Sequence, residues 1–132
     1  MSDQRSKTSG VHHVGLTVPD LSRARNFFID ALRFNQVGEV PDYPAVFLSD
    51  GSILITLWQA EDPATAVPFD RRANIGLHHL ALRANDLTGL AAELAARDDV
   101  EIEFEPEGLG DTGISHMMCR IPGNIRLELI AA

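Results

Sequence analysis

The chain has 132 residues, a mass of 14.4 kDa and a formal net charge of −8. This length corresponds to a single domain with a sizeable core. The acidic balance excludes nucleic acid and anionic membranes as partners, because both bind basic patches. The single Cys119 excludes an internal disulfide. No apolar stretch has the length of a membrane span or the form of a signal peptide, so a cytoplasmic location is the default expectation.

The sequence of the first half predicts one strand, then a helix, then three more strands. Residues 1–10 are polar and predict a disordered N-terminal tail. Alternation from Val11 to Val18 predicts a strand, and Asp20 is a suitable N-cap for the amphipathic helix that follows. Three further strands are predicted over residues 38–40, 45–48 and 53–58, separated by turn-forming sequences.

The second half repeats the same order after a polar, proline-containing linker over residues 61–74. The pattern predicts a strand over residues 78–84, a helix over 87–96, and strands over 100–104, 115–121 and 125–131. The chain is therefore predicted to be one domain, 11–132, made of two modules, 11–60 and 75–132.

Two pairs of matching segments support this duplication. The first strand of each module opens with a histidine, in His13-Val-Gly-Leu-Thr-Val-Pro-Asp-Leu and in His79-Leu-Ala-Leu-Arg-Ala-Asn-Asp-Leu. The segments that close the modules also align, and this alignment places Glu128 opposite Thr56. Duplicated modules bring equivalent positions towards a shared centre.

Strand alternation puts the residues at these positions on a common face. His13, His79, Glu128 and Thr56 all lie opposite the face that packs on a helix. An unpaired glutamate there is costly, and a cation removes the cost. The sequence thus predicts one divalent metal ion bound by His13, His79 and Glu128, with Fe, Mn, Zn, Ni and Co all compatible with the ligand set.

Other residues are candidates for the surrounding site. Hairpin geometry brings the strand face of His116 near Glu128. His116 is therefore a candidate for supporting the metal ligands or for acid/base catalysis, and the alternative is a histidine with no role in the site. Alternation directs His12 and His78 towards the helix side, where packing is the expected role. The candidate substrate pocket comprises Thr17, Phe47, Thr56, Trp58, Arg83, Met118 and Arg120. Its apolar members suit a core equally, and each arginine suits either an anionic substrate or an ordinary salt bridge.

The two modules, the strand pattern His-x-x-Leu-x-Val-x-Asp-Leu and the closing Pro-Gly-Asn-x-x-Leu-Glu-Leu resemble the vicinal oxygen chelate superfamily. This group includes glyoxalase I, bleomycin-resistance proteins, extradiol dioxygenases, methylmalonyl-CoA epimerase and fosfomycin-resistance enzymes. The resemblance covers residues 11–132 and implies an α+β fold of two βαβββ modules forming a cup-shaped mixed sheet. It also implies a metal where the modules meet, with His13, His79 and Glu128 at ligand positions, and a homodimer.

The chain departs from each named activity of the superfamily. Glyoxalase I and the epimerase have a fourth ligand, Glu or Gln, at the position of Thr56, and a hydroxyl is a poor ligand and base. Glyoxalase I has a basic residue at the position of Thr17, and extradiol dioxygenases have a catalytic tyrosine at the position of Met118. The arginine that fosfomycin thiol transferases carry beyond the glutamate has no counterpart.

Two functional hypotheses follow from these patterns. The first is a metal-dependent enzyme that chelates neighbouring oxygens of a small-molecule substrate, with a lyase, isomerase, dioxygenase or epoxide-opening reaction all open. The alternative is a metal-free protein that sequesters a ligand, as in the bleomycin-resistance type. Retention of three metal-ligand residues favours the enzyme.

Overall fold

The computed structural model describes residues 4–131, and these form two βαβββ modules. Met1–Asp3 of the predicted disordered tail, and Ala132 at the end of the predicted domain, lie outside the described residues. The first module contains β1 (His13–Val18), α1 (Leu21–Asp30), β2 (Asn35–Val40), β3 (Ala45–Ser49) and β4 (Leu54–Gln59). The second contains β5 (Leu80–Arg83), α2 (Leu87–Ala95), β6 (Glu101–Gly108), β7 (Ser115–Ile121) and β8 (Ile125–Ala131).

The α+β class and the order of elements match the prediction, and most differences are at element ends. β7 and β8 have the predicted bounds, whereas β2 and β6 are longer than predicted. The first strands of both modules begin two residues later than predicted, at His13 and at Leu80. The irregular segment between the modules therefore extends beyond residue 74, up to His79.

The strands form two separate four-stranded mixed sheets with equivalent topology. Their orders are β1-β4-β3-β2 and β5-β8-β7-β6, and the first strand of each module pairs in parallel with the last. Gly15 pairs with Thr56 in the first sheet, as Ala81 pairs with Glu128 in the second. The register therefore makes position 56 the structural equivalent of position 128.

Each module's helix begins at an aspartate in the same place. The Asp20 carboxylate accepts a hydrogen bond from the Arg23 backbone N–H, at 3.1 Å, and Asp86 does the same for Gly89 at 3.1 Å. These bonds satisfy backbone donors that the first turn of a helix leaves unpaired. The N-cap and the apolar spacing after it explain why both helices start where the sequence predicts.

A single hydrophobic core joins the two modules through their helix-covered faces. It contains Leu16 and Leu57 of the first sheet, Leu127 and Leu129 of the second, and Phe27 of α1. The face of each sheet that carries the predicted metal ligands lies on the other side from this core. Within one chain, the modules thus pack together through their helix sides.

Contacts between the modules are made at both helices and at one turn. The Arg97 guanidinium, after α2, lies 5.7 Å from the centre of the Phe27 ring in α1. Gly123, in the turn between β7 and β8, has φ +94° and lies where an added Cβ would be 3.4 Å from Pro19. A side chain there would meet both backbone strain and the first module. No helix within residues 4–131 combines the length and the apolar character that crossing a membrane requires.

Cys119 is fully buried in this core, and burial raises the pKa of its thiol to about 12. The reactive thiolate is therefore scarce at neutral pH. We expect the native protein to resist Ellman's reagent and to release one equivalent of thiol after unfolding in guanidinium chloride. Rapid reaction of the native protein would contradict the buried position of this side chain.

Candidate metal centre

Glu128 lies between two histidines on the face of the second sheet that is opposite the core. One carboxylate oxygen, Oε1, lies 3.2 Å from Nε2 of His79, and the other, Oε2, lies 2.6 Å from Nδ1 of His116. The Glu128 side chain is only 12% exposed. His116 therefore holds one oxygen of a nearly buried carboxylate and leaves the other directed at His79.

This pair of atoms has the spacing of two ligands of one metal ion. Ligand atoms about 2.1 Å from a metal stand roughly 3 Å apart in neighbouring coordination positions. The separation of 3.2 Å between His79 Nε2 and Glu128 Oε1 agrees with that value. A carboxylate fixed by a histidine on its other oxygen also has the usual support of a metal ligand. These two donor atoms thus have the spacing that ligation of one divalent metal would require, and a stable site would need further ligands.

His13, the third predicted ligand, is exposed on the first sheet, where its Nδ1 lies 2.9 Å from Nδ1 of His12. Within residues 4–131 of one chain, no three His, Cys, Asp or Glu side chains form a group that could hold a metal. The structure thus brings His79 and Glu128 together, adds His116 to them, and leaves His13 apart. The three-ligand set stays a prediction.

The equivalent face of the first sheet is lined by aromatic residues. Thr56 is 5% exposed, and its hydroxyl accepts a hydrogen bond of 2.9 Å from the indole N–H of Trp58. The Trp58 ring contacts Tyr43 and Phe47, with ring centres 4.9 and 6.2 Å away. The exposed residues of β1 on this face are His13, Gly15 and Thr17. The first module thus offers an apolar wall and a hydroxyl already bound to an indole.

A network of arginines around Glu103 lies beside Glu128 on the second sheet, and the sequence patterns did not reveal it. The buried Arg126 guanidinium donates to Glu103, with Nη2 2.9 Å from Oε2, and Arg71 lies 3.3 Å from the same carboxylate. These hydrogen bonds, above all those from Arg126, keep the pKa of Glu103 below its usual value. Arg71 thereby connects the segment between the modules to the second sheet. Alternation does place Arg126 on the face of Glu128, and that was the available signal.

The remaining pocket candidates are distributed around this face. Arg120 forms a salt bridge with Glu101, with Nη2 2.5 Å from Oε1. Of the two roles considered for this arginine, an ordinary salt bridge is therefore the one that the structure contains. Met118 is buried and pairs with Glu128 across β7 and β8. Arg83 is exposed at the far end of β5, in a depression lined also by Asp86. Their roles in binding a substrate stay predictions.

The prediction that His12 and His78 point towards the helices is wrong. Both residues are exposed and precede the strands, so strand alternation does not apply to them. Each contacts the histidine that follows it, and His78 also lies 3.2 Å from Nη1 of Arg126. Desolvation, with the Arg126 charge adding to it, lowers the pKa of His78.

The fold and this face define a class of proteins. The family model of the Glyoxalase/Bleomycin resistance protein/Dioxygenase superfamily matches residues 10–129, and the chain belongs to that superfamily. This agrees with the resemblance in the sequence.

Three similar proteins illustrate the range of the superfamily. A 2-epi-5-epi-valiolone epimerase from an Actinomyces species is 27% identical, over 91% of this chain and 78% of that protein. A glyoxylase/bleomycin resistance protein/dioxygenase domain from Frankia sp. EAN1pec has a TM-score of 0.81 and 24% identity, covering 96% of this chain and 99% of its own. A mutant of the fosfomycin resistance protein FosX from Listeria monocytogenes, complexed with Mn(II) and 1S,2S-dihydroxypropylphosphonic acid, has a TM-score of 0.75 and 16% identity, covering 95% and 93%.

Proposed function

We propose that this protein is a divalent-metal-dependent enzyme acting on a small molecule with two neighbouring oxygens. The observation that carries the proposal is the approach of His79 Nε2 to Glu128 Oε1, at 3.2 Å, with His116 holding the other carboxylate oxygen. Support also comes from the similar FosX mutant, whose structure was solved in complex with Mn(II). A bound divalent ion would supply Lewis-acid stabilisation of negative charge on the two substrate oxygens.

The chain's own residues would divide the remaining tasks. His116 keeps Glu128 in one orientation through the 2.6 Å contact, so that a single oxygen is presented. The aromatic wall of Tyr43, Phe47 and Trp58 excludes water from the apolar part of a substrate. Thr56 cannot serve as a base near neutral pH, since its hydroxyl is weakly acidic and already accepts from Trp58.

We further propose that a second copy of the chain supplies His13 to complete the ligand set. Within one chain the modules share a core on their helix sides, while His13 and Thr17 on the site face of the first sheet are exposed. Apolar side chains between the modules are also exposed, with Val67 at 78%, Ile75 at 105% and Leu77 at 42%. Exposed apolar patches of this kind mark protein interfaces. In a two-fold homodimer, the aromatic wall of the first sheet of each copy would face the second sheet of the other copy, which carries Glu128. The symmetry would thus create two equivalent sites.

An epimerase is the second candidate, because the epimerase from Actinomyces is 27% identical. Inverting a stereocentre through proton transfer requires a base within hydrogen-bond reach of the carbon. His116 is the imidazole beside the site, but its Nδ1 is bound to Glu128. Its Nε2 lies 4.0 Å from Glu107, which is largely exposed. Epimerisation thus requires His116 Nε2, or a group of the second copy, to accept the proton.

Mixed dimers test the shared site without knowledge of the substrate. Neither His13→Ala nor His79→Ala should retain metal alone, because each lacks one ligand in every site. When both are coexpressed with different tags, a mixed dimer has one site with both defects and one intact site. We expect about one tightly bound metal ion for every four chains after random pairing, measured by elemental analysis.

The matched control combines His79→Ala with Glu128→Gln, whose defects lie in the same module and therefore affect both sites of a mixed dimer. This pair should not regain metal. Recovery in neither mixture, with wild type retaining stoichiometric metal, would place the whole site within one chain. Wild-type protein that binds no divalent metal when purified without chelator would contradict the enzyme and favour the ligand-sequestering alternative.

A further inference from the structure

Three arginines from different parts of the chain converge on the Glu103 carboxylate, beside Glu128. Arg126 of β8 donates to it, with Nη2 2.9 Å from Oε2, and Arg71 of the segment between the modules lies 3.3 Å from Oε1. Arg120 of β7 is more distant, with Nε 3.8 Å from Oε1. One carboxylate, only 17% exposed, thus lies among three guanidinium groups.

Glu103 cannot satisfy all the donors of these arginines. A guanidinium has five N–H donors and no acceptor, whereas a carboxylate offers about four lone pairs. Within residues 4–131, Arg120 Nε is a buried donor without an acceptor, and Nη1 of Arg120 and Nη2 of Arg71 also make no hydrogen bond. A buried donor without an acceptor is rare and costly in a folded protein. The cluster therefore has donors available for a further acceptor.

The cavity that the three arginines border has an excess of positive charge. The arginines line it together with the carboxylates of Asp70 and Glu103, so three positive and two negative charges leave a formal charge of +1. The whole chain, in contrast, carries −8. The Asp70 carboxylate is also engaged, since its Oδ1 accepts hydrogen bonds of 2.8 and 3.2 Å from two backbone N–H groups of its own turn. This cavity is therefore a place where an anion would gain electrostatic energy.

The cavity is suited to a compact anion. Its volume is about 210 Å³, and the Arg71 and Arg120 side chains at its border are 34% and 35% exposed. Arg126 is only 8% exposed and is fixed by Glu103, so it contributes charge rather than free donors. Glu101, which pairs with Arg120, is 69% exposed and lies outside the lining, so solvent screens its charge. The two outer arginines can therefore donate to an anion, and guanidinium groups bind carboxylates and phosphates in a forked geometry.

We propose that this cavity binds a small anionic group, a carboxylate or a phosphate, through Arg71 and Arg120, with Arg126 adding a fixed positive charge. The site goes beyond the proposed function, because none of the predicted metal ligands lines it. Arg126 precedes Glu128 by two residues on β8, which corresponds to about 7 Å along a strand. One small molecule can therefore reach both places, and that connection alone rests on the proposed function.

Titration of the full-length, metal-free protein with inorganic phosphate, followed by NMR chemical shifts, tests the site. We expect saturable binding by the wild type, and binding at least about 10-fold weaker in Arg71→Gln and in Arg120→Gln, since each loses a charge-assisted donor. The matched control is Arg72→Gln, which removes the same charge from an exposed neighbour that does not line the cavity. Arg71 lies outside the helices and strands, so Arg71→Gln tests the proposal even if Arg120→Gln fails to fold.

Acetate, titrated at the same ionic strength, shows whether the site prefers a carboxylate or a phosphate, and saturable binding of either anion supports the proposal. No saturable binding of either one up to about 10 mM, or equal losses in Arg71→Gln and Arg72→Gln, would overturn it. The proposed function is tested separately, because these titrations use protein without metal. Phosphate binding by a protein that retains no divalent metal would uphold the anion site and contradict only the metal-dependent enzyme.

Discussion

His79→Ala is expected to lower the affinity for a divalent metal by about 100-fold or more. Removing a residue that only supports a metal ligand typically weakens binding about 10- to 100-fold, and removing the ligand itself should weaken it at least as much. The imidazole supplies one of the two donor atoms that the second module brings to 3.2 Å. Without it, only Glu128 Oε1 would remain on this sheet, since Oε2 is bound to His116. A single carboxylate oxygen with one distant histidine does not hold a transition metal against water.

The fold should tolerate this change. The His79 side chain is 33% exposed and precedes β5, so its removal opens no core cavity. The measurement is a competition titration with a metal-binding dye, paired with thermal unfolding of the metal-free protein. The matched control is Glu61→Gln, which alters an exposed side chain of the segment between the modules. Stoichiometric metal in His79→Ala at wild-type affinity would remove His79 from the site.

The sequence predicted the architecture well because two strong periodicities support it. Alternation identified β7 and β8 with their observed bounds, and the predicted N-cap Asp20 marked the start of α1, with Asp86 found in the same role at α2. The repeat also predicted the equivalence of Thr56 and Glu128, and the register of the two sheets agrees with it. Strand alternation, helix caps and internal repeats are all encoded by residues close together in the chain, so one sequence is enough to predict them.

Alternation failed where strand pairing ends. β5 has only four residues, all paired with β8, and His78 precedes this ladder. The backbone there is free to turn, so the parity of the strand does not determine the direction of the His78 side chain. The contact of His78 with Arg126 depends instead on an arginine from β8, 48 positions away. Long-range hydrogen bonds of this type leave no periodic signal in either segment.

The sequence also could not predict whether the site faces of the two sheets meet within one chain or between two chains. A duplicated module has the same pattern whether its copies form a cup within one chain or across two chains. Helix-side residues of both modules enter one core, and this tertiary packing leaves His13 apart from Glu128. The sequence thus identified the candidate ligands individually, and tertiary packing governs how they meet.

Thr56→Glu is expected to tighten metal binding by about 10-fold or more, because it adds a carboxylate at the position equivalent to Glu128. Gly15, the strand partner of Thr56, contributes no side chain at this position, and the Thr56 hydroxyl already lies where a Cβ on Gly15 would be 3.1 Å away. The indole N–H of Trp58, which now donates to the Thr56 hydroxyl at 2.9 Å, can donate to the new carboxylate. A fourth protein ligand would fill a coordination position that the native reaction uses, so turnover should fall once a substrate is known.

Stability measurements give this prediction a readout that needs no substrate. Position 56 is 5% exposed, so a carboxylate there should destabilise the metal-free protein by about 1–3 kcal/mol, the cost of burying an imperfectly paired polar group. Bound metal should offset this cost, since a ligand that binds only the folded state raises its stability. We therefore expect Thr56→Glu to have a lower thermal midpoint than wild type without metal, and a larger increase when Mn(II) is added. Thr56→Gln, which has the same size without the charge, should show a smaller increase. Equal increases in wild type and Thr56→Glu would show that position 56 does not face the metal, and the three-ligand site would then need a different arrangement.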